Sequence, residues 1–98
     1  MRKHSIKLLP RYYDEVIKGE KPFEFRKNDR NYLPGDLVLL NEYDGKNYTG
    51  RVCAVIIKEV YRLGNLYPEF KDFVIFTFAI LNKDLHYEEK TENSENNL

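Results

Sequence analysis

The sequence predicts a mainly β (α+β) domain: a small, partly closed β-barrel with one short helix docked at its mouth. Three observations lead there. Apolar runs of strand length recur between turn residues, only one stretch carries helical spacing, and three of the strand-like runs are apolar on both faces. An open sheet with one wet face shows clean alternation, and these runs do not. With a single helix available as cover, such a sheet must curl and close on itself.

The elements follow in order. His4 to Leu9 reads as a first short strand. Pro10 suits the first turn of a helix, where its missing N–H would be unpaired anyway. Tyr13, Val16 and Ile17 then form one apolar stripe, Asp14 and Lys18 are spaced to pair along the helix, and Gly19 is its stop. A helix this short must dock to survive. Next comes a strand with a period of two, Phe23 and Phe25 pointing one way and Glu24 and Arg26 the other. Residues 27–31 form a polar loop, and Leu33-Pro34-Gly35-Asp36 a tight turn into the apolar run 37–40. Asp44-Gly45-Lys46-Asn47 signals a hairpin. A long strand is expected from Arg51 to Leu63, broken before its start by Gly50, then a loop over 64–72 and a last strand from Phe73 to Leu81. The stretch 88–97 holds no apolar residue and cannot offset the entropy of its own ordering. The expected division is therefore a barrel domain over residues 1–83 and a disordered acidic tail over 84–98.

Composition narrows the function. At 98 residues, 42% hydrophobic and 33% charged, the chain is a single globular domain with a well-solvated surface. No apolar run approaches the ~20 residues that cross a bilayer, and the basic start has no apolar h-region behind it. One cysteine, Cys53, in an apolar run makes no internal disulfide, so a reduced, cytoplasmic setting is expected and Cys53 is assigned to the core. The 16 basic and 16 acidic residues cancel overall but not locally. Residues 1–34 hold nine Lys/Arg against five Asp/Glu, a net of +4, while residues 84–98 hold one against five, a net of −4. The basic third is compatible with a polyanionic ligand.

Several chemistries find no support. Two histidines, His4 and His86, and one cysteine offer no zinc-ligand spacing. The glycines are isolated, so no phosphate loop is present, and Ser5, Thr49 and Thr77 have no histidine base in local spacing. Neither a metal nor a cofactor is expected. What remains is residues 19–30. A helix stop is followed by Lys21, which can turn toward a strand that places Glu24 and Arg26 on one polar face. A carboxylate accepts from amino groups, and a guanidinium donates in a planar fork to phosphate or base acceptors. The plainer alternative is an ordinary ion pair on an exposed strand.

The whole run Gly19-Glu20-Lys21-Pro22-Phe23-Glu24-Phe25-Arg26-Lys27-Asn28-Asp29-Arg30, with Gly35-Asp36, Tyr43-Asp44 and Tyr48-Thr49-Gly50-Arg51 downstream, resembles the ASCH domain. This is the activating-signal-cointegrator homology branch of the PUA-like superfamily, here closest to a small single-domain bacterial and phage subfamily of uncharacterised function. The resemblance covers about residues 4–81. It implies a PUA-like β-barrel and a cleft between helix and barrel that binds RNA or a nucleotide, with Lys21, Glu24 and Arg26 lining it. Lys27, Asn28 and Arg30 would extend that site, and Tyr32 would join it. Tyr32, Tyr43, Tyr48 and Tyr67 fall in or beside loops, where a base can stack, although a rim tyrosine is more often a packing residue.

Another branch of the family that this chain resembles deacylates N4-acetylcytidine, with the pattern Gly-x-Lys-x-x-Thr-x-Arg and the threonine as proposed nucleophile. Here Glu24 stands in the threonine's place, and a carboxylate there would pair with Lys21 instead of being activated by it. The sequence reading therefore assigns no catalytic residue and favours binding of RNA, a nucleotide or a modified nucleoside. The second expectation is an amidohydrolase using Lys21 and Glu24, and the third a protein-interaction module working through the acidic tail or a strand edge. A monomer is the default assembly.

Overall fold

The computed structural model describes residues 1–85. It is mostly β: five strands in one curled sheet that forms a half-barrel, with a single α-helix. The strands are β1 (Lys3–Leu8), β2 (Phe23–Lys27), β3 (Leu37–Tyr43), β4 (Tyr48–Arg62) and β5 (Phe73–Asn82), and the helix α1 is Pro10–Ile17. The sheet order is β1-β3-β4-β5-β2. β1 runs parallel to β3, and the other neighbours are antiparallel. Among the described residues the two strands at the ends of this order, β1 and β2, are therefore the free edges.

Local chemistry accounts for the breaks. Pro10 opens α1 as expected, and Gly19, at φ 80°, lies in the left-handed region just past its end. Tyr13 and Val16 are the buried stripe of α1. Asp14 reaches across to Arg51 (3.5 Å) instead of pairing down the helix with Lys18. Pro34 and Gly35 form the turn into β3: Gly35 takes φ 89°, and the Asp36 N–H donates to the Leu33 carbonyl at 3.1 Å. The β3–β4 hairpin closes as Asp44 Oδ1 accepts from the Lys46 and Asn47 amides, both at 2.8 Å. Gly50 does not break β4. The strand runs through it from Tyr48, and the register against β3 shifts there instead. The expected loop over 64–72 contains two short 3₁₀ turns, Leu63–Asn65 and Pro68–Phe70.

The core explains the apolar double faces. Val38 and Leu40 of β3, Cys53 and Val55 of β4, and Val74 and Phe76 of β5 point into the half-barrel with Tyr13, Val16 and Tyr32. On the opposite face Leu39, Val52 and Ala54 form a second cluster, with Leu37 and Leu85 packed against it. The Leu85 N–H donates to the Val52 carbonyl at 2.9 Å, so the described fold runs through Leu85. The rest of the segment expected to be a disordered tail, residues 86–98 with His86, lies outside the described residues. Among the described residues no helix is long and apolar enough to cross a membrane.

A buried polar pair pins the start of β1 to the turn before β3. His4 Nε2 lies 2.8 Å from Asp36 Oδ2, and both side chains are almost wholly enclosed. Burial alone would raise the Asp36 carboxyl, but hydrogen bonds from His4 and from the Leu33 and Arg2 amides outweigh it and hold the carboxyl below its ordinary value. A carboxyl lowered on folding contributes stability above its ordinary pKa and loses it as pH falls through the folded value. Urea midpoints recorded from about pH 5 down to pH 2.5 should therefore fall less steeply for Asp36→Asn than for wild type. Parallel curves would show that Asp36 does not carry the acid response. A second expectation concerns Cys53, whose thiol burial pushes up to about 11. A thiol reagent at pH 8 should modify it only as fast as the protein unfolds, and rapid native labelling would contradict its place in the core.

Candidate functional site

Register decides what β2 presents to the interior. Glu24 is paired with Phe76 and Arg26 with Val74, and residues opposite each other across a ladder share a face. Phe76 and Val74 point into the core, so Glu24 and Arg26 point inward too, and Phe23 and Phe25 are left on the outer, half-exposed face. The alternation expected over this strand holds. The reading of Glu24 as half of an exposed surface ion pair does not, because Glu24 is only 2% exposed.

A buried carboxylate needs charge and hydrogen bonds around it. Glu24 receives both from its own neighbourhood. Lys21 Nζ donates to Oε2 at 2.6 Å, and Arg26 Nε donates to Oε1 at 3.0 Å. Lys21 arrives because the chain folds back at the end of α1, where the amides of Glu20 and Lys21 both donate to the Glu15 carbonyl. Its ammonium also donates to the Phe23 carbonyl at 2.8 Å. Arg26 has one further partner of consequence: Nη2 donates to the Lys7 carbonyl at 2.5 Å. The guanidinium thus bridges the two free edges of the sheet, β2 and β1, where no backbone ladder joins them.

Both halves of that bridge, Lys7 and Arg26, line two neighbouring open pockets, together a groove along the seam. One is a cleft of about 510 Å³ between β2, the end of β1 and Tyr12 of α1, with Lys21, Glu24 and Arg26 in its wall. The other is a second chamber of about 390 Å³, reaching Ser5, Arg30 and Tyr48. Lys7, Arg26 and Lys27 line both.

The residues expected at the site divide accordingly. Lys21, Glu24, Arg26 and Lys27 line the cleft, and Arg30 lines the second chamber. The Arg30 and Asn31 carbonyls accept from the Arg2 guanidinium, which ties the loop to the N-terminal end of β1. Asn28 is structural. Its Oδ1 accepts from the Tyr32 amide at 3.1 Å, its own amide donates to the Asp72 carbonyl at 2.7 Å, and it lines neither chamber. Tyr32 offers no face for stacking: it is 1% exposed, packed against His4 and Phe76, and burial raises its phenol above the ordinary value. Lys7 and Tyr12 were not singled out from the sequence. Lys7 is an exposed residue of the alternating strand β1, and its place in the groove depends on the curl that brings β1 to β2. Among the described residues no group of three or more His, Cys, Asp or Glu side chains is placed to hold a metal ion.

Comparison with known proteins bears on the class. The family described as "Domain of unknown function (DUF3850)" matches residues 3–78, and the chain belongs to it. It is also similar to the "Uncharacterized 12.9 kDa protein in GpA 3'region" of Escherichia phage P2, at 39% identity over 67 residues. That match takes in 68% of this chain and 62% of the phage protein.

Truncating Glu24 tests its central place. Glu24→Ala leaves two cations facing each other without their carboxylate and should cost about 3 kcal/mol, at the low end for a broken buried pair because Lys21 and Arg26 are partly exposed. Glu24→Gln keeps the shape and one acceptor but turns an NH2 donor toward the other cation, so it should also destabilise. Urea unfolding measures both, and an alanine variant within about 0.5 kcal/mol of wild type would remove Glu24 from its organising role.

Proposed function

We propose that this chain is an ASCH-type, PUA-like module that binds RNA, or a nucleotide or modified nucleoside, in the cleft between α1 and β2. One observation carries the reading. Glu24 holds an ammonium and a guanidinium side by side in the wall of an open cleft, with Lys7 and Lys27 beside them. Two fixed, partly exposed donors around a buried carboxylate are preorganised for an anion, because the entropy of fixing them is met on folding. In this role Glu24 positions Lys21 and Arg26, and its two oxygens are already engaged by them. Arg26 donates to phosphate or a base acceptor, and Lys21 and Lys27 neutralise phosphate. The single, buried Cys53 supports a reducing, cytoplasmic setting for this activity.

Binding fits the geometry better than turnover. An amidohydrolase using Lys21 needs that amine free to take a proton, and here it is ion-paired at 2.6 Å.

An amide NMR titration with 5′-mononucleotides and with plain and acetylated cytidine tests both. Saturable shifts are expected at residues 7–9 and 19–30. Lys27→Ala should weaken all nucleotides alike and lower the salt dependence by about one counterion. Absence of shifts at these residues would overturn the binding reading. Deacetylated product after overnight incubation, lost in Lys21→Ala, would put hydrolysis in its place.

A further inference from the structure

The groove does not end at the cleft, and its continuation says what length of ligand it takes. Its two chambers have Lys7, Arg26 and Lys27 as common lining residues. Charged groups along both chambers are Lys7, Lys21, Arg26, Lys27 and Arg30 against Glu24 and Asp29, a net of +3. Cation follows cation from one chamber to the next, which is the distribution a chain of phosphates requires and a single phosphate does not.

Each chamber carries an exposed tyrosine ring. Tyr12 lines only the first chamber and is 37% exposed, and Tyr48 lines only the second of these two and is 58% exposed. Two neighbours steady the Tyr48 ring. Tyr43 meets its ring edge-on at 5.1 Å, and the Lys7 ammonium lies 4.4 Å from the Tyr43 ring and 5.9 Å from that of Tyr48. A ring supported in this way loses little entropy when a base stacks on its free face. The two chambers follow β1 from Leu9 back to Ser5, a path of about 13 Å at ~3.3 Å per residue.

We propose that the groove between β1 and β2 binds a short run of single-stranded nucleic acid, one base stacked on Tyr12, another on Tyr48, and the intervening phosphates on Lys7, Arg26 and Lys27. This rests on the nucleotide reading of the cleft and extends it from one nucleotide to a strand. Backbone tracking by cations with stacking on aromatic faces is sequence-tolerant recognition, since every base has a π-face. The open seam between the two sheet edges is what leaves room for the strand to pass.

The test is a length series: a 5′-mononucleotide, then di-, tri- and tetranucleotides, titrated into the full chain by calorimetry at two or more salt concentrations. Affinity should rise by roughly tenfold or more between the mononucleotide and the trinucleotide, and the salt slope by ~0.7 per added phosphate engaged. Tyr48→Ala, a change at an exposed ring, should bring the trinucleotide back near the mononucleotide, while Tyr48→Phe keeps the gain. A mononucleotide that binds with no gain in length, or a gain that survives Tyr48→Ala, overturns the strand proposal and leaves the cleft as a mononucleotide site. Equal competition by polyglutamate would reduce the groove to a charge surface and also overturn it. If neither mononucleotide nor oligonucleotide binds, the cleft reading fails, and this proposal with it.

Discussion

One buried carboxylate organises this half-barrel. Removing Glu24 from water costs several kcal/mol, and only charge and hydrogen bonds supplied from within the fold can offset that. Lys21 supplies one cation from the turn after α1, and Arg26 supplies the other from two residues along the same strand. Neither is free to move far. With Nε committed to Glu24, the guanidinium extends Nη2 to the Lys7 carbonyl, so the same cluster that neutralises the carboxylate also spans the gap between the sheet edges. A side chain bridges the seam at one point where a backbone ladder would have sealed it, and a groove remains.

The inward turn of Glu24 and Arg26 has its counterpart outside. Phe23 and Phe25 are displaced to the outer face, where the rings shelter one another. Phe25 stacks on Phe73 at 5.2 Å, and Phe70, carried by the second 3₁₀ turn, meets Phe25 at 6.3 Å and Phe73 at 6.2 Å, both edge-on. The turns between β4 and β5 thus act as partial cover for the outer face of β2. Offset and edge-on contacts recover part of what full burial of these rings would have given.

The far end of β1 is fixed by different means. His4 and Asp36 bond inside the protein, and Arg2 grips the carbonyls of the loop that follows β2. β1 is therefore held at one end by this polar pair and near the other by Arg26, with its parallel ladder to β3 between them. An edge strand secured in this way is a rigid wall for the groove.

The order of elements, the start of the helix at Pro10, its stop at Gly19, the Pro34-Gly35 turn and the Asp44 hairpin were legible in the chain because each rests on backbone preferences confined to a few residues. The segment 19–30 stood out for the same reason, as did its two-residue alternation. Which way that alternation faced was not legible. β2 carries aromatic rings on one side and charges on the other, and local rules send the rings inward, but β5 is apolar on both faces and gives no guide to its orientation. Only the register that pairs Glu24 with Phe76 settles the matter. The same holds for Tyr32, which the sequence placed beside a loop and the fold placed in the core, and for Lys7, brought to Arg26 across 19 residues of chain. Short-range chemistry is written in neighbouring residues. Burial of a charge is decided by partners that the curl of the sheet brings together, and no local pattern encodes it.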